Sequence, residues 1–329
     1  MSSTIESTSV QQPLVAQRLA NLPVTLFAMV MGLTGMAIAW DRLGDIVNGG
    51  KAIGLLIASI ASLLMVILLI AYLAKLMLHR AHVAEELKHP IRINFFPTIS
   101  ISLLLLSVYW QNLGAFALIL FVTGATLHLL ATLLVMSSWL HHSHYQIGHL
   151  NPGWFIPVVG NIIVPINGVH FGFMEISWFF FSIGIVYWLV LLTVVMNRLI
   201  IHEALPPKLT PMMFILLAPP SVGFISYTFL TTGLDAFAHI LYYSALFIAL
   251  LLAVNSPRFW KLPFFVSSWA YSFPLAALTI ASTHFAHLSG QVSIQYLAVA
   301  LLIVLSAVIL WLVIRTLIAA FQRQICVPE

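Results

Sequence analysis

The sequence predicts an all-α integral membrane protein with ten transmembrane helices. These form five helical hairpins in a quasi-fivefold arrangement, with five proline-kinked inner helices around a central pore. Three observations lead to this prediction. Of the 329 residues, 61% are hydrophobic and only 7% are charged, whereas a soluble domain carries about 25% charged residues. Ten apolar runs reach the roughly 20 residues that a helix needs to cross a bilayer. Prolines occur in every second run and not in the others.

The ten predicted spans follow one another with short connections. They divide the chain into a cytoplasmic N-terminal tail at residues 1–21, a transmembrane channel domain at residues 22–321 and a cytoplasmic C-terminal tail at residues 322–329. The N-terminal tail lacks the basic-then-apolar order of a cleavable signal peptide. The spans are centred near Val30, Val66, Leu103, Leu127, Val159, Ile185, Ile215, Leu246, Phe273 and Leu305.

The basic residues sort to one side of this topology. Of the 13 Lys and Arg residues, all except Arg42 and Lys51 fall on the side that holds both predicted termini. Because cytoplasmic loops carry an excess of Lys and Arg, this distribution predicts that both termini are cytoplasmic. Basic residues scattered through loops in this way indicate membrane topology and not a nucleic acid partner.

Prolines divide the spans into two classes. A proline inside a helix removes a backbone donor and kinks or breaks the helix, and lipid offers no partner to the released carbonyl. Broken helices therefore belong inside the protein, and the unbroken even-numbered spans belong at its lipid surface. Five inner helices around an axis leave a hole, so we expect a pore; the alternative is a solid bundle. The prolines of the odd-numbered spans are Pro23, Pro97, Pro157, Pro165, Pro219, Pro220 and Pro274.

Short motifs in the odd-numbered spans resemble those of one family. They are Leu22-Pro23, Phe27, Gly32 and Ala39-Trp40 in the first span, RINF at 92–95 with Pro97 in the third, NPGWFIP at 151–157 with Asn161 in the fifth, LAP at 217–219 in the seventh and WAYSF at 269–273 in the ninth. Through them the chain resembles the tellurite-resistance/dicarboxylate transporter family, which includes the bacterial TehA channels and the plant guard-cell slow anion channels.

The resemblance implies a homotrimer in the inner membrane of a bacterium, with one pore per subunit and no enzymatic activity or cofactor. In the family a phenylalanine of the ninth helix plugs the pore, and the matching residue is Phe273, beside Pro274. The first-span position opposite this ring is usually glycine in relatives and is Ala28 in this chain. We expect its methyl group to tighten the seat of the ring.

The charge pattern predicts how such a pore treats inorganic or small organic anions. No charged residue lies in the interior of an odd-numbered span, so stabilisation is expected from helix ends, backbone N–H groups and hydroxyls. Weak partners of this kind suit conduction and favour anions that lose water easily, such as nitrate over chloride. The hydroxyls are those of Thr98, Ser100, Ser221 and Ser272. A cytoplasmic vestibule that attracts anions is predicted to contain Lys88, Arg92, Lys208 and Lys261.

Two histidines leave another transport function open. His128 and His239 lie in outer spans, where an ionisable residue is a functional candidate by default. Both are interpreted as neutral, hydrogen-bonded structural residues. Proton-coupled transport of C4-dicarboxylates or sulfite is the alternative function.

The remaining histidines lie near the ends of spans. Clustered histidines can bind metal, but the loop at residues 141–149 has no nearby Cys or acidic residue. It is therefore interpreted as a solvated loop, and a membrane metalloenzyme is the most distant of the three functions. His284 and His287 are placed at the periplasmic mouth. Residues 79–89 are expected to form a solvated connection between two spans.

Overall fold

The computed structural model describes residues 14–44, 46–141 and 145–327, and all regular secondary structure in these residues is helical. The α-helices of the described chain are α1 (Leu14–Ala20), α2 (Phe27–Arg42), α3 (Gly50–Leu78), α4 (Arg80–Lys88), α5 (Pro97–Tyr109), α6 (Ala115–His141), α7 (Ile156–Val159), α8 (Val164–Gly168), α9 (Met174–Ile201), α10 (Ala218–Thr231), α11 (Ala236–Val254), α12 (Ser256–Trp260), α13 (Ser272–Ser289) and α14 (Val292–Phe321). Short 3₁₀ helices lie at Val24–Leu26, Arg92–Phe95, Gln111–Leu113, Ile147–His149, Pro152–Phe155, Gly160–Ile163, Thr210–Leu217 and Val266–Tyr271.

Eight helical stretches of the described residues are long and apolar enough to cross a membrane. They coincide with eight of the ten predicted spans, so the prediction of a multi-span helical membrane protein is confirmed. The fifth predicted span is a series of short segments between Pro152 and Gly168, and the ninth is the 3₁₀ helix Val266–Tyr271 followed by α13. The eight stretches are Val24–Arg42, Gly50–Leu78, Arg92–Tyr109, Ala115–His141, Met174–Ile201, Thr210–Thr231, Ala236–Val254 and Val292–Phe321.

Burial separates these eight stretches into two groups. The three that match odd-numbered spans each bury 78% of an apolar 18-residue window, whereas the five that match even-numbered spans bury only 28% to 33%. The exposed side chains of the second group are mainly Leu, Ile, Val and Phe. Such residues suit a lipid surface, since the hydrocarbon core demands an apolar exterior. For these eight stretches the division into inner and outer helices is confirmed.

The inner helices contact one another in a cycle. α2 packs against α5, α5 against α8, α8 against α10, α10 against α13, and α13 returns to α2. Each inner helix also packs against the long helix that follows it, as α2 does against α3 and α13 against α14. The first and last helical pairs are therefore neighbours in space.

The described ends of the chain lie on one side of the molecule. Helix α1 packs against α3. Cys326, which follows α14, lies near the charged groups of Arg18 and Lys75. Burial raises the pKa of the Cys326 thiol, and these two cations oppose the rise.

The prolines mark a change in helix type. Pro97 is the first residue of α5, Pro157 and Pro219 are the second residues of α7 and α10, and Pro274 is the third residue of α13. A 3₁₀ helix precedes each of these four α-helices. Proline fits the first turn of an α-helix because an N–H there has no intrahelical acceptor. The predicted breaks therefore appear as switches from 3₁₀ to α geometry.

Hydroxyl groups supply extra donors at these switches. Carbonyls that lack an N–H partner are costly in an apolar surrounding, and a serine or threonine within a turn can bond to them. The bonds run from Thr98 Oγ1 to Phe95 O (2.6 Å), from Ser100 Oγ to Pro97 O (2.8 Å), from Thr132 Oγ1 to Pro157 O (2.6 Å), from Ser221 Oγ to Leu217 O (2.7 Å) and from Ser272 Oγ to Trp269 O (2.6 Å).

A buried ion pair ties α3 and α4 to the start of the first inner span. Lys75 Nζ lies 2.8 Å from Glu86 Oε2, and the two residues are only 1% and 3% exposed. Tyr72 Oη donates to the same carboxylate at 2.6 Å, and Lys75 Nζ also donates to Leu22 O at 2.8 Å. The backbone N–H of Val24 donates to Glu86 Oε1 at 3.4 Å.

This ion pair corrects the expectation that residues 79–89 form a solvated connection. Val83 and Glu86 of α4 are buried, while the intervening Ala84 and Glu85 are exposed. One face of α4 is therefore packed against the rest of the protein, and the opposite face is exposed. The physical reason is that the ammonium of Lys75 lies inside the protein and needs a counter-charge.

Replacing Glu86 with glutamine should strongly destabilise the protein. The substitution leaves the Lys75 ammonium buried without a counter-charge, which costs about 3–5 kcal/mol. We expect a lower thermal unfolding midpoint for purified Glu86→Gln in detergent. The matched control is Glu85→Gln, which changes the exposed neighbour and should leave the midpoint unchanged. Equal midpoints for the two variants would contradict a stabilising role for the pair.

Candidate functional site

The aromatic segment at the start of α13 is anchored on two sides. Trp269 Nε1 donates to Thr316 Oγ1 of α14 at 2.9 Å. The Tyr271 ring packs edge-on against Phe214, with 4.7 Å between ring centroids. Ser272 Oγ donates to the carbonyl of Trp269 within the segment. The backbone that carries the next residue, a phenylalanine, is therefore held by contacts to neighbouring helices.

Phe273 lies on the wall between two cavities. The large cavity, of about 620 Å³, extends from this ring to the ends of α2 and α13 at Arg42 and His287. The small cavity, of about 60 Å³, lies at the other helix ends and is also lined by Phe273. The ring is half-buried, since one part of its surface borders open space.

The small cavity is surrounded by the beginnings of the inner α-helices. It is lined by Ala28, Thr98, Ile156, Ala218 and Phe273, each of which is the first or second residue of its helix. The level at which 3₁₀ geometry gives way to α geometry is therefore the level of this cavity. A volume of about 60 Å³ accommodates only a few water molecules.

The large cavity is lined by later turns of the same set of inner elements. Ile38, Leu105, Ile166 and Val222 come from α2, α5, α8 and α10, and Phe273 completes the wall. At its mouth the lining becomes polar, with Asp41, Arg42, Lys51, Thr283, His284, His287 and Gln295. The placement of His284 and His287 at a mouth agrees with the sequence prediction.

The predicted kink residues differ in their relation to the cavities. Pro274 lines the small cavity, as does Ala28. Pro97, Pro157 and Pro219 line neither cavity. The residues adjacent to these prolines line the small cavity instead. The prolines therefore affect the shape of this cavity through the backbone.

Helix α2 approaches α13 closely beside the ring of Phe273. The residue of α2 that allows this approach is Gly35, which the sequence analysis did not single out. A Cβ placed on Gly35 would lie 3.5 Å from Phe273 Cδ2 and 2.8 Å from Ala276 Cβ. A Cβ on Gly32 would collide with Ser272 Oγ. Gly32 and Gly35 lie on the same face of α2, because residues three apart are neighbours on a helix. This pair was the available signal, since small residues at an interface allow helices to approach closely in membranes.

The four basic residues predicted to form a vestibule lie away from both cavities. Lys88 ends α4, Arg92 begins a 3₁₀ helix, and Lys208 and Lys261 lie in connections between helices. None of the four lines the large or the small cavity. The cations at a cavity wall are instead Arg42 and Lys51, the two that the topology assigned to the opposite side.

The hydroxyl groups expected to stabilise an anion are committed elsewhere. A hydroxyl has one proton to donate, and those of Thr98, Ser100, Ser221 and Ser272 all donate to carbonyls of their own helix. All four side chains are buried, and only Thr98 lines the small cavity. The expectation that these hydroxyls bind anions is therefore wrong, because the broken helices use them.

His128 of α6 is hydrogen-bonded to the neighbouring helix α5, whereas His239 is hydrogen-bonded to the residue that precedes its own helix α11. His128 is fully buried, with Nδ1 2.9 Å from Ser100 Oγ and its ring against Gly160. His239 Nδ1 lies 2.7 Å from the backbone carbonyl of Asp235. Neither residue lines the large or the small cavity. Both contacts agree with the interpretation of structural histidines.

Asp235 serves as the cap of α11. Its carboxylate accepts from the hydroxyl of Tyr227 and, at 2.9 Å, from the backbone N–H of Ala238. These two donors, the hydroxyl first, lower the pKa of the carboxyl. The hydrogen bond between His239 and this residue is made to the backbone carbonyl of Asp235.

The histidine-rich loop is only partly described. His142 and His144 lie outside the described residues. His141 Nδ1 contacts Ser137 O at 2.9 Å, and His149 Nδ1 accepts from the N–H of Gln146 at 3.1 Å. Among the residues that the structure describes, no group of three or more His, Cys, Asp or Glu side chains is placed to hold a metal ion.

Comparisons with known proteins agree with this architecture. Residues 21–317 match the family model described as voltage-dependent anion channel. The S-type anion channel SLAH3 of Arabidopsis thaliana is 30% identical over 322 residues, covering 94% of this chain and 50% of that protein. The tellurite resistance protein TehA homolog of Haemophilus influenzae is 27% identical over 272 residues, covering 81% of this chain and 82% of that protein.

A third relative is archaeal. An uncharacterized transporter of Methanocaldococcus jannaschii is 28% identical over 289 residues, covering 80% of this chain and 84% of that protein. The chain spans about half the length of the plant relatives SLAH3 and SLAH2. The family resemblance predicted from the span motifs is confirmed: the chain belongs to the voltage-dependent anion channel family.

Proposed function

We propose that the chain is a passive, weakly selective anion channel whose pore is closed by the ring of Phe273. The observation that carries the proposal is the position of this ring between two cavities lined by the same set of inner elements. A ring at such a position blocks a path that is otherwise open on both sides, as a hydrophobic constriction does.

The proposed pore is the axis of a ten-helix assembly. In this arrangement five helical pairs repeat around the axis in quasi-fivefold order, with the fifth and ninth spans completing the eight long apolar stretches. The cycle of contacts from α2 through α5, α8, α10 and α13 supports it. Residues 22–321 form the transmembrane domain in this proposal.

The proposed setting is the inner membrane of a bacterium, with both tails, 1–21 and 322–329, in the cytoplasm. The excess of Lys and Arg on the side of the termini supports this orientation. The large cavity then opens to the periplasm and the small cavity faces the cytoplasm. We include the trimer implied by the family resemblance, with one pore per subunit.

The electrostatics of the two cavities favour anions at the mouth and weak binding at the constriction. The lining of the small cavity contains no charged side chain, so an anion that passes it keeps little of its hydration and gains no ion pair. Among the described residues that line the mouth of the large cavity, the charged ones are Arg42, Lys51 and Asp41. Excess positive charge at a mouth raises the local concentration of anions.

The alternative is a proton-coupled carrier of C4-dicarboxylates or sulfite. A carrier of this type needs a titratable group that alternates with its substrate along the path. His128 and His239 line neither cavity, and each has a hydrogen-bond partner, Ser100 of α5 and the backbone of Asp235 respectively. This placement favours the channel.

Removing the ring of Phe273 should open the pore. We expect Phe273→Ala in planar bilayers to carry an anion current at least about tenfold above wild type, equivalent to ~1.4 kcal/mol of barrier. The matched control is Phe116→Ala, an exposed phenylalanine of α6 that lines neither cavity, which should leave the current near the wild-type level. Silent Phe273→Ala protein that still accumulates labelled malate or sulfite in vesicles would favour the carrier, and a cation-selective current would refute the anion channel.

Removing the methyl group of Ala28 should loosen the seat of the ring. Ala28→Gly is expected to raise the wild-type current by less than Phe273→Ala does, because the ring remains but packs against less surface. In the Phe273→Ala background the same change should have no effect, since the methyl acts through the ring. Ala37→Gly, on the same helix and away from both cavities, controls for helix weakening by glycine. An equal increase in both backgrounds would show that Ala28 acts independently of Phe273.

The apolar constriction should favour weakly hydrated anions. In Phe273→Ala channels with nitrate on one side and chloride on the other, we expect a reversal potential that reports higher permeability for nitrate. The reason is that an uncharged lining returns little of the energy that dehydration costs. Symmetric chloride supplies the zero-potential control. A preference for chloride would indicate a charged or strongly donating ligand in the constriction.

A further inference from the structure

The mouth of the large cavity combines two permanent cations with two histidines. Arg42 lies at the end of α2, Lys51 near the start of α3, and His284 and His287 on α13. Within the described residues, no carboxylate forms an ion pair with Arg42. The guanidinium group of Arg42 lines the same cavity as the two histidines.

The two histidines lie on the same face of α13, because residues three apart are neighbours on a helix. His284 is fixed in place: its Nε2 lies 3.0 Å from Thr228 Oγ1, and its ring stacks on Phe229 with centroids 5.4 Å apart. His287 is exposed in the cavity. Arg42, His284 and His287 all line the mouth of the large cavity.

We propose that this mouth is a binding site for small oxyanions, in which Arg42 and His287 contact the anion directly and a proton on His287 strengthens binding. The inference rests on the proposed anion channel and adds an anion site to it. A guanidinium fork offers paired N–H donors that match the oxygens of a planar oxyanion. Lys51 adds positive charge at the rim of the cavity.

The sign of the pH effect follows from the charge of the ligands. Histidine is the side chain whose charge changes between about pH 5 and pH 8, and a protonated imidazole attracts an anion that a neutral one does not. Anion affinity therefore rises as the pH at this mouth falls, and bound anion raises proton affinity in return. Titratable or charged groups surround the histidines. Helix α2 contributes Asp41 and Arg42, α3 contributes Lys51, and α11 contributes His239 and Tyr242, whose rings contact Phe285 of α13. Helices α10 and α14 contribute the uncharged side chains of Thr228 and Gln295.

The first test measures binding without conduction. Purified protein is titrated with sodium nitrate, with the thermal unfolding midpoint as readout and gluconate replacing nitrate at constant ionic strength. We expect nitrate to stabilise wild type more at about pH 5 than at about pH 8. Arg42→Gln should weaken the apparent affinity roughly two- to fivefold, the range for an exposed ion pair. His287→Gln should remove the pH dependence, whereas His239→Gln, outside the cavity, should retain it.

The second test places the site on the conduction path. In the Phe273→Ala background, Arg42→Gln should raise the half-saturating nitrate concentration by the same roughly two- to fivefold factor. Acidification should act only from the side of the large cavity. Unchanged nitrate affinity in Arg42→Gln, or pH dependence that survives His287→Gln, overturns the inference. A silent Phe273→Ala channel overturns the proposed function instead, and the binding measurement then still decides whether the site exists.

Discussion

The structure depends on keeping broken helices hydrogen-bonded in apolar surroundings. Near Pro97, Pro157, Pro219 and Pro274 the inner elements change from 3₁₀ to α geometry, and lipid cannot replace a missing backbone partner there. Serine and threonine hydroxyls bond to carbonyls at these points, as Ser272 does to Trp269 and Ser221 does to Leu217. The breaks can therefore persist at one level, and the small cavity and Phe273 lie at that level.

Because the hydroxyl groups bond to the backbone, they are not free to donate to an anion in the proposed pore. Because the hydroxyl protons near the breaks serve the backbone, the small cavity has a mainly apolar wall and no charged lining residue. Charge is confined to the mouth of the large cavity, around Arg42 and His287. In the proposed channel, the level that attracts anions is therefore separate from the level at which they cross the constriction.

Sequence reasoning predicted the features that depend on repetition along the chain. The placement of prolines in alternate spans predicted the inner and outer classes. The motif around Phe273 predicted a ring that plugs a pore, and the structure has this ring at the wall of two cavities. It did not predict features that depend on distant residues meeting in space. Lys75 and Glu86 form an ion pair across two helices, and neither spacing nor composition reveals it. Arg42 was counted only as a topology signal, because nothing local shows that the end of α2 faces the end of α13.

The contact between α2 and α13 also constrains how the protein is made. These helices come from opposite ends of the chain, and their approach through Gly32 and Gly35 closes the cycle of inner helices. During membrane insertion the early inner spans emerge long before α13 exists, so one flank of α2 first meets lipid, other chains or insertion machinery. The last hairpin to be synthesised completes the barrier between the two cavities. A nascent chain therefore gains its closing ring only when synthesis of the transmembrane domain is almost finished.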